Sequence, residues 1–185
     1  MKIYFFQLLV LITILTSCKN SNKIPSSLAE FDQTEKSIID KLAVQQAQAV
    51  NDTVIKKETK NLITGLEAYI EKNPKDTANV VKHLYKVGEL AKAVGLYGNS
   101  IKLWGQIQRE YPLHPKAGDA LFMQAFTFEN DLQDKDSAKK YYMDFLKRFP
   151  DHSFANDAKQ LLSMIDKSPE ELIKEFEAKN AKNVN

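Results

Sequence analysis

Three prolines stand at equal steps of 38 residues in this chain, at Pro74, Pro112 and Pro150. Apolar residues placed eight and five positions before each proline keep the same step: Leu66, Trp104 and Tyr142, then Tyr69, Ile107 and Phe145. A regular period of this length predicts a repeated supersecondary unit that stacks on its neighbours, because one unit alone cannot bury its apolar face.

Inside each period the apolar residues have the spacing of amphipathic helices. Between residues 117 and 128 they recur at steps of three and four, and after Asp134-Lys135-Asp136 the pattern resumes as far as Phe149. Proline then ends the second helix, because its ring cannot continue the hydrogen-bond ladder. With only 6 Gly and 6 Pro in 185 residues, the chain is too poor in breakers for a turn-dense β-sandwich or barrel. We therefore predict an all-α fold of antiparallel helix pairs.

The regions on either side of the clear repeats keep a weaker version of the pattern. Residues 27–73 resemble a degenerate first unit that begins at Ser27 and Glu30, which have the spacing of a capping box. The polar stretch at 51–53 either breaks this region into a helix pair or marks a turn of one long helix. Ser168 and Glu171 repeat the box and predict a further helix that covers the end of the stack. Residues 179–185 are expected to form a disordered tail.

The amino terminus has the composition of a targeting segment. Lys2 precedes an almost wholly apolar run, Ile3–Leu15, which at thirteen residues is shorter than the roughly 20 that a membrane-spanning helix needs. A charged start, an apolar middle and small residues before a cleavage point are typical of a secretory signal peptide. We predict that residues 1–17 are such a signal.

The residues that follow, Leu15, Thr16, Ser17 and Cys18, resemble the bacterial lipobox. This resemblance implies that Cys18 is acylated, that the chain is cut before it, and that residues 18–26 are a flexible tether. Two or more acyl chains anchor a protein stably where one is marginal. The alternatives are an ordinary signal peptide with an accidental cysteine, or a buried structural thiol. Lys19 is not the aspartate of inner-membrane lipoproteins, and no acidic cluster follows, which by analogy implies the periplasmic face of an outer membrane.

The repeat resembles the tetratricopeptide repeat, a 34-residue helix pair with characteristic small, aromatic and proline positions. In the first clear unit the matching residues are Leu84, Gly88, Ala91, Gly95, Tyr97, Ser100, Trp104, Ile107 and Pro112, and in the second Leu121, Ala125, Phe128, Ala138, Tyr142, Phe145 and Pro150. The resemblance implies a short right-handed solenoid over residues 27–178. The period is four residues longer than the motif, and we expect the extra residues in the connections 111–117 and 149–155.

The same resemblance implies where a partner binds, because the first helix of each tetratricopeptide pair lines a concave groove. The corresponding positions are Lys82, Tyr85, Glu89, Lys92, Asp119, Phe122, Phe126 and Glu129. We expect at least one of Phe122 and Phe126 to be partly exposed there. The alternative is that both pack against the neighbouring unit.

The sequence contains no recognisable catalytic or cofactor motif. Cys18 is the only cysteine, which excludes a disulfide framework, and 26 basic against 24 acidic side chains leave no nucleic-acid footprint. His114 and His152 share a turn position after a repeat proline, which favours surface residues over metal ligands. We therefore expect neither an enzyme nor a bound cofactor or metal.

The repeats, together with the run 124–130 and the end 167–171, resemble tetratricopeptide lipoproteins of Bacteroidetes. The repeat pattern is also similar to two periplasmic classes, the outer-membrane barrel-assembly lipoprotein D and the Tol–Pal coordinating protein. These resemblances imply a lipid-anchored adaptor for a protein or peptide partner in the cell envelope. They do not distinguish a role in outer-membrane barrel assembly from a role of the Tol–Pal type. The alternative is a lipoprotein that binds a nutrient or glycan.

Overall fold

The computed structural model describes residues 23–45, 52–168, 170–171 and 173–174. Within these residues the fold is all-α, with seven helices and no β-strand. The helices are α1 (Leu28–Gln45), α2 (Asp52–Lys72), α3 (Thr77–Ala93), α4 (Tyr97–Glu110), α5 (Lys116–Asn130), α6 (Lys135–Arg148) and α7 (Ala155–Met164). The predicted signal peptide and the lipobox residues Leu15, Thr16, Ser17 and Cys18 lie outside the described part of the chain.

The helix boundaries follow the 38-residue period. Helices α2, α4 and α6 end at Lys72, Glu110 and Arg148, each two residues before a repeat proline. The described residues of region 27–73 form two helices, α1 and α2, which pack against each other, so of the two alternatives the helix pair is correct. The connections before α5 and α7 are residues 111–115 and 149–154, which lie within the ranges where the extra residues of the period are expected.

Consecutive helices pack against each other along the whole series, and the first helices of successive pairs, α1, α3 and α5, also contact one another. The chain is therefore a helical-repeat solenoid. Buried side chains form two clusters. One spans α1 to α5 and includes Phe31, Leu84 and Trp104, while the other joins α5, α6 and α7 around Tyr142 and Phe145. None of the described helices combines the length and the apolar character that crossing a membrane requires.

Local sequence signals account for several helix ends. Gly95 has a positive φ of 75° at the end of α3, where its N–H donates to the Lys92 carbonyl and the Leu96 N–H donates to the Ala91 carbonyl. This is the Schellman arrangement, which favours glycine. Asp134 caps α6 by accepting a 3.0 Å hydrogen bond from the Ser137 N–H.

The two predicted capping boxes differ in outcome. Ser168 and Glu171 exchange both hydrogen bonds of the box, at 2.8 and 3.2 Å. At α1 the Ser27 hydroxyl accepts from the Glu30 N–H at 3.4 Å, but the Glu30 carboxylate accepts from the N–H of Ser26 and not from that of Ser27. That box is therefore only half formed.

The end of the predicted tether lies against the solenoid. Pro25 is buried, and its carbonyl oxygen packs on Gly65 of α2 so closely that a Cβ at residue 65 would collide with it. The end of the predicted tether thus contacts α2 at Pro25, where the missing side chain of Gly65 leaves space for it.

Candidate partner-binding surface

Helices α1, α3 and α5 line one side of the solenoid, which we call the inner face. The inner face comprises Asp32, Lys82, Tyr85, Lys86, Glu89, Lys92, Lys116, Asp119, Phe126 and Asp131. Each of these side chains is exposed or partly exposed. Six of the eight residues predicted from the tetratricopeptide resemblance belong to this set, and Phe122 and Glu129 do not. Their surroundings decide which of them a partner can reach.

Ion pairs connect neighbouring elements along the inner face. Lys82 Nζ lies 2.9 Å from the Asp32 carboxylate and so joins α3 to α1. Lys92 Nζ lies 2.9 Å from the Asp131 carboxylate, which follows α5. Pairs of this kind at a surface contribute little to stability, typically about 0–1 kcal/mol. Because these ion pairs are weak, the charged side chains of the inner face can exchange them for ion pairs with a bound protein.

Tyr85 is the aromatic centre of the α3 part of the inner face. Its ring is half-buried, with Lys116 Nζ 4.5 Å from the ring centroid and the Trp104 ring 6.4 Å away on the other helix of its pair. Burial, with the negative charges of Glu89 and Asp119, raises the pKa of the Tyr85 hydroxyl above its ordinary value. The hydroxyl is therefore a neutral hydrogen-bond donor at any physiological pH.

Glu89 and Asp119 place two carboxylates around Lys116. Partial burial raises the pKa of Glu89, and the Asp119 carboxylate adds to this rise, whereas Lys116 and Lys86 oppose it. Asp119 pairs with Lys116 at 2.7 Å and with His152 Nε2 at 3.2 Å. This second contact links α5 to the turn that precedes α7.

Of the two phenylalanines predicted for the groove, only Phe126 lies at the surface. Its ring is partly exposed, and Lys92 Nζ lies 5.5 Å from the ring centroid. The assignment of Phe122 to the groove is wrong, because Phe122 is 8% exposed and packs on Phe145 and Phe154 at centroid distances of 5.6 and 4.7 Å. The two rings stack at 6.2 Å, so Phe126 rests on the core through Phe122.

Glu129 is also committed to the fold. Its carboxylate accepts a 2.7 Å hydrogen bond from the Tyr142 hydroxyl, which comes from the second helix of the same pair. Burial and this hydrogen bond raise the pKa of Tyr142. Glu129 therefore connects α5 to α6, and we do not count it among the inner-face residues.

Sequence reasoning missed a buried polar pair between α1 and α3. His83 Nδ1 lies 2.6 Å from Glu35 Oε1, both side chains are almost fully buried, and Lys86 Nζ approaches the other Glu35 oxygen at 3.3 Å. The signal was present in the sequence, because Glu35 stands at a core position of α1, between Phe31 and Ile38.

With Asp32, this pair forms a group of side chains of metal-ligand type, whose ligand atoms lie within 4.8 Å of one another. Lys82 and Lys86 pair with the two carboxylates of the group. Because their ammonium groups compete with any cation, we interpret the group as a structural link between α1 and α3. The expectation that the histidines lie in surface turns does not extend to His83.

Part of the inner face lies in a segment that matches a known protein family. Residues 119–152 match the family model of the tetratricopeptide repeat. The chain carries a tetratricopeptide repeat. The matched unit begins at Asp119 on α5, includes all of α6 and ends at His152, so its first and last residues are the pair in contact at 3.2 Å. No curated protein and no solved structure matches the chain.

Proposed function

We propose that the protein is an adaptor that binds a protein or peptide partner through its inner face. The tetratricopeptide repeat at 119–152 carries this proposal, since repeats of this family generally mediate protein–protein interaction. The partly exposed aromatics Tyr85 and Phe126 support it. Aromatic side chains among polar neighbours are the residues that most often dominate the energy of an interface.

The place of action that we propose is the bacterial cell envelope. The lipobox-like residues 15–18 support acylation at Cys18, which would anchor the solenoid to the periplasmic face of the outer membrane. Within the envelope, the protein acts either in outer-membrane barrel assembly or in coordination of the Tol–Pal type. The identity of the partner distinguishes these two roles.

Binding of a nutrient or glycan is the less favoured function. A sugar site needs exposed aromatic faces, and the phenylalanine cluster around Phe122 instead fills the core between α5, α6 and α7. We propose that the protein binds and does not catalyse, because Lys82 and Lys92 of the inner face are engaged in ion pairs with Asp32 and Asp131.

Photo-crosslinking in cells tests the adaptor function. A benzophenone amino acid replaces Tyr85 or Phe126 and, as a matched control, Thr64, which is exposed on α2. We expect irradiation to give the same envelope protein as an adduct from positions 85 and 126 and none from position 64. Equal adducts from all three positions, or none from the inner face, would contradict the proposal.

The anchor is tested separately with Cys18→Ala. We expect the variant to lose incorporation of an alkynyl fatty acid and to leave the outer-membrane fraction, either as soluble protein or with its signal peptide retained. A Ser17→Ala variant, which keeps the cysteine and a small residue before it, serves as the control. Outer-membrane fractionation that is unchanged by Cys18→Ala would contradict lipid anchoring and leave the adaptor function intact.

A further inference from the structure

A second surface feature lies away from the inner face, between the second helices α4 and α6. It is a cleft of about 330 Å³ whose floor is formed in part by α5. We call it the outer cleft, and its lining residues are Gly105, Gln108, Arg109, Leu121, Gln124, Lys140, Tyr141, Asp144 and Arg148. Its volume is at the small end of the range of about 300–1,000 Å³ for ligand pockets.

The rim of the outer cleft carries an excess of positive charge. Arg109 comes from α4, Lys140 and Arg148 come from α6, and Asp144 is the single acidic residue of the lining. Arg148 Nη1 contacts the Asp144 carboxylate at 3.2 Å. Within the described part of the chain, neither Arg109 nor Lys140 has an acidic partner, so two cations are available to an anionic group.

The floor of the cleft is apolar and close to the helix backbone. It includes the ring of Tyr141, which packs on Phe128 at 5.0 Å, and the side chain of Leu121. A Cβ at Gly105 would lie 3.1 Å from Arg109 Nη1 and 3.0 Å from Gln124 Nε2. Because Gly105 has no side chain, the Arg109 guanidinium can lie close to the backbone of α4, beside the apolar floor.

One polar atom in the lining lacks a partner. The Gln108 amide donates through Nε2 to the Ala117 carbonyl, while its Oε1 oxygen is buried and accepts no hydrogen bond. A buried acceptor without a donor is unfavourable, because it has lost its hydrogen bond to water. Because the Oε1 oxygen is buried, a ligand in the cleft does not reach it in this arrangement of the Gln108 side chain.

We propose that the outer cleft binds a peptide segment of a second protein, in which a carboxylate side chain stands next to an apolar one. The carboxylate pairs with Arg109 and Lys140, and the apolar side chain lies on Leu121 and Tyr141. Arginine suits this role because its planar guanidinium can bind a carboxylate through two parallel hydrogen bonds. The protein then has two binding surfaces on different sides of the solenoid, and the outer one does not depend on the inner one.

The proposal is tested by titrating the purified full-length protein, in detergent, with N-acetyl-Leu-Asp-amide. ¹⁵N NMR follows the side-chain amides of Gln108 and Gln124 and the Nε of Arg109. We expect saturable shifts at these groups that weaken as salt is added, because exposed charges are screened. N-acetyl-Leu-Asn-amide, which lacks the charge, should bind about tenfold more weakly, because a hydrogen bond to a charged group is stronger than one to a neutral group.

Variants locate the binding site. Arg109→Gln should weaken binding of the Leu-Asp probe about tenfold on the same grounds, while Lys147→Gln, on α6 outside the lining, should leave it unchanged. The melting temperature of each variant shows that it is folded. Absence of a saturable shift, or an effect of Lys147→Gln equal to that of Arg109→Gln, would overturn the proposal.

A third probe separates peptide binding from simple anion binding. If inorganic phosphate shifts the same signals as strongly as the Leu-Asp probe, the cleft is a general anion site and the peptide proposal is wrong. The inner-face crosslinks from positions 85 and 126 should persist in Arg109→Gln. A result that contradicts binding at the outer cleft can therefore be distinguished from one that contradicts binding at the inner face.

Discussion

The indole of Trp104 lies directly on the backbone of Gly88, where a Cβ would come within 2.8 Å of the indole Cε2. The same indole donates a 3.2 Å hydrogen bond from Nε1 to the Tyr85 carbonyl, three residues earlier on α3. Trp104 is fully buried. The contact explains why one helix of the pair has glycine where the other has its largest side chain: the helices can approach only if one side chain is absent.

Gly88→Ala should destabilise the protein, because the new methyl group has no space unless the indole or the helix shifts. Overpacking of this kind costs about 1–3 kcal/mol. Urea unfolding measures the change in the free energy of unfolding.

Gly98→Ala is the matched control, since Gly98 is also helical but a Cβ there would meet nothing within 4 Å. We expect it to be neutral or slightly stabilising, as alanine favours a helix over glycine. Equal losses in the two variants would mean that the Gly88–Trp104 contact is not what limits the approach of the helices.

The sequence predicts most of the fold because the repeat indicates both where helices end and which side chains are buried. The prolines predict where α2, α4 and α6 end, and the apolar stripes predict that Trp104 and Tyr142 are buried. These features depend on local spacing, which can be read along the chain. The hand of the solenoid stays a prediction from the tetratricopeptide resemblance.

Features that depend on contacts between distant residues could not be predicted in the same way. Glu35 and His83 are 48 residues apart, and their pairing depends on how α1 and α3 are rotated against each other. Phe122 and Phe126 both flank the apolar stripe of α5, and periodicity does not distinguish them. Phe154, from the turn before α7, packs on the Phe122 ring and so helps to bury it.

Alanine substitutions should separate the two phenylalanines of α5. Phe122→Ala removes a ring from the core of the second cluster and should cost about 3–5 kcal/mol of unfolding free energy. Phe126→Ala should cost clearly less, because its ring is partly exposed, and it should abolish recovery of the partner that is crosslinked from position 85. Thermal unfolding and crosslinking are measured on the same preparations. A large loss of stability from Phe126→Ala would assign that ring to the core.

The buried Glu35–His83 pair gives a prediction about the stability of the fold. Glu35→Leu should destabilise the protein by about 3–5 kcal/mol, because it removes the partner of a buried polar side chain. His83 Nε2 already lacks a hydrogen-bond partner, so the imidazole would then be wholly unpaired. Urea unfolding at pH 7 measures the loss.

The double variant Glu35→Leu/His83→Leu tests the reason for that loss. Replacing both members of a buried pair with apolar residues is often neutral or stabilising, so we expect most of the lost stability to return. Lys86→Met, which removes only the half-exposed third member, should have a small effect. A double variant that is no more stable than Glu35→Leu would show that the pair is not the source of the loss.

A hydrogen bond across the turn between α2 and α3 gives a prediction about pH. The Asp76 carboxylate accepts from the Tyr69 hydroxyl at 2.6 Å, and this bond, followed by those from Asn79, lowers the pKa of Asp76 below its ordinary value of 3.8. A carboxyl with a lowered folded-state pKa adds stability above its unfolded pKa and loses it as the pH falls through the folded value. Tyr69→Phe, which keeps the ring on Phe31, should therefore be less stable than the parent at pH 7, and the difference should shrink as the pH is lowered below 3.8.

Urea unfolding at several pH values measures the free energy of unfolding of both proteins, with Tyr141→Phe as a control that removes a hydroxyl elsewhere. A difference that stays constant as the pH falls well below 3.8 would show that the loss of stability does not come from the hydrogen bond to the ionised Asp76 carboxylate.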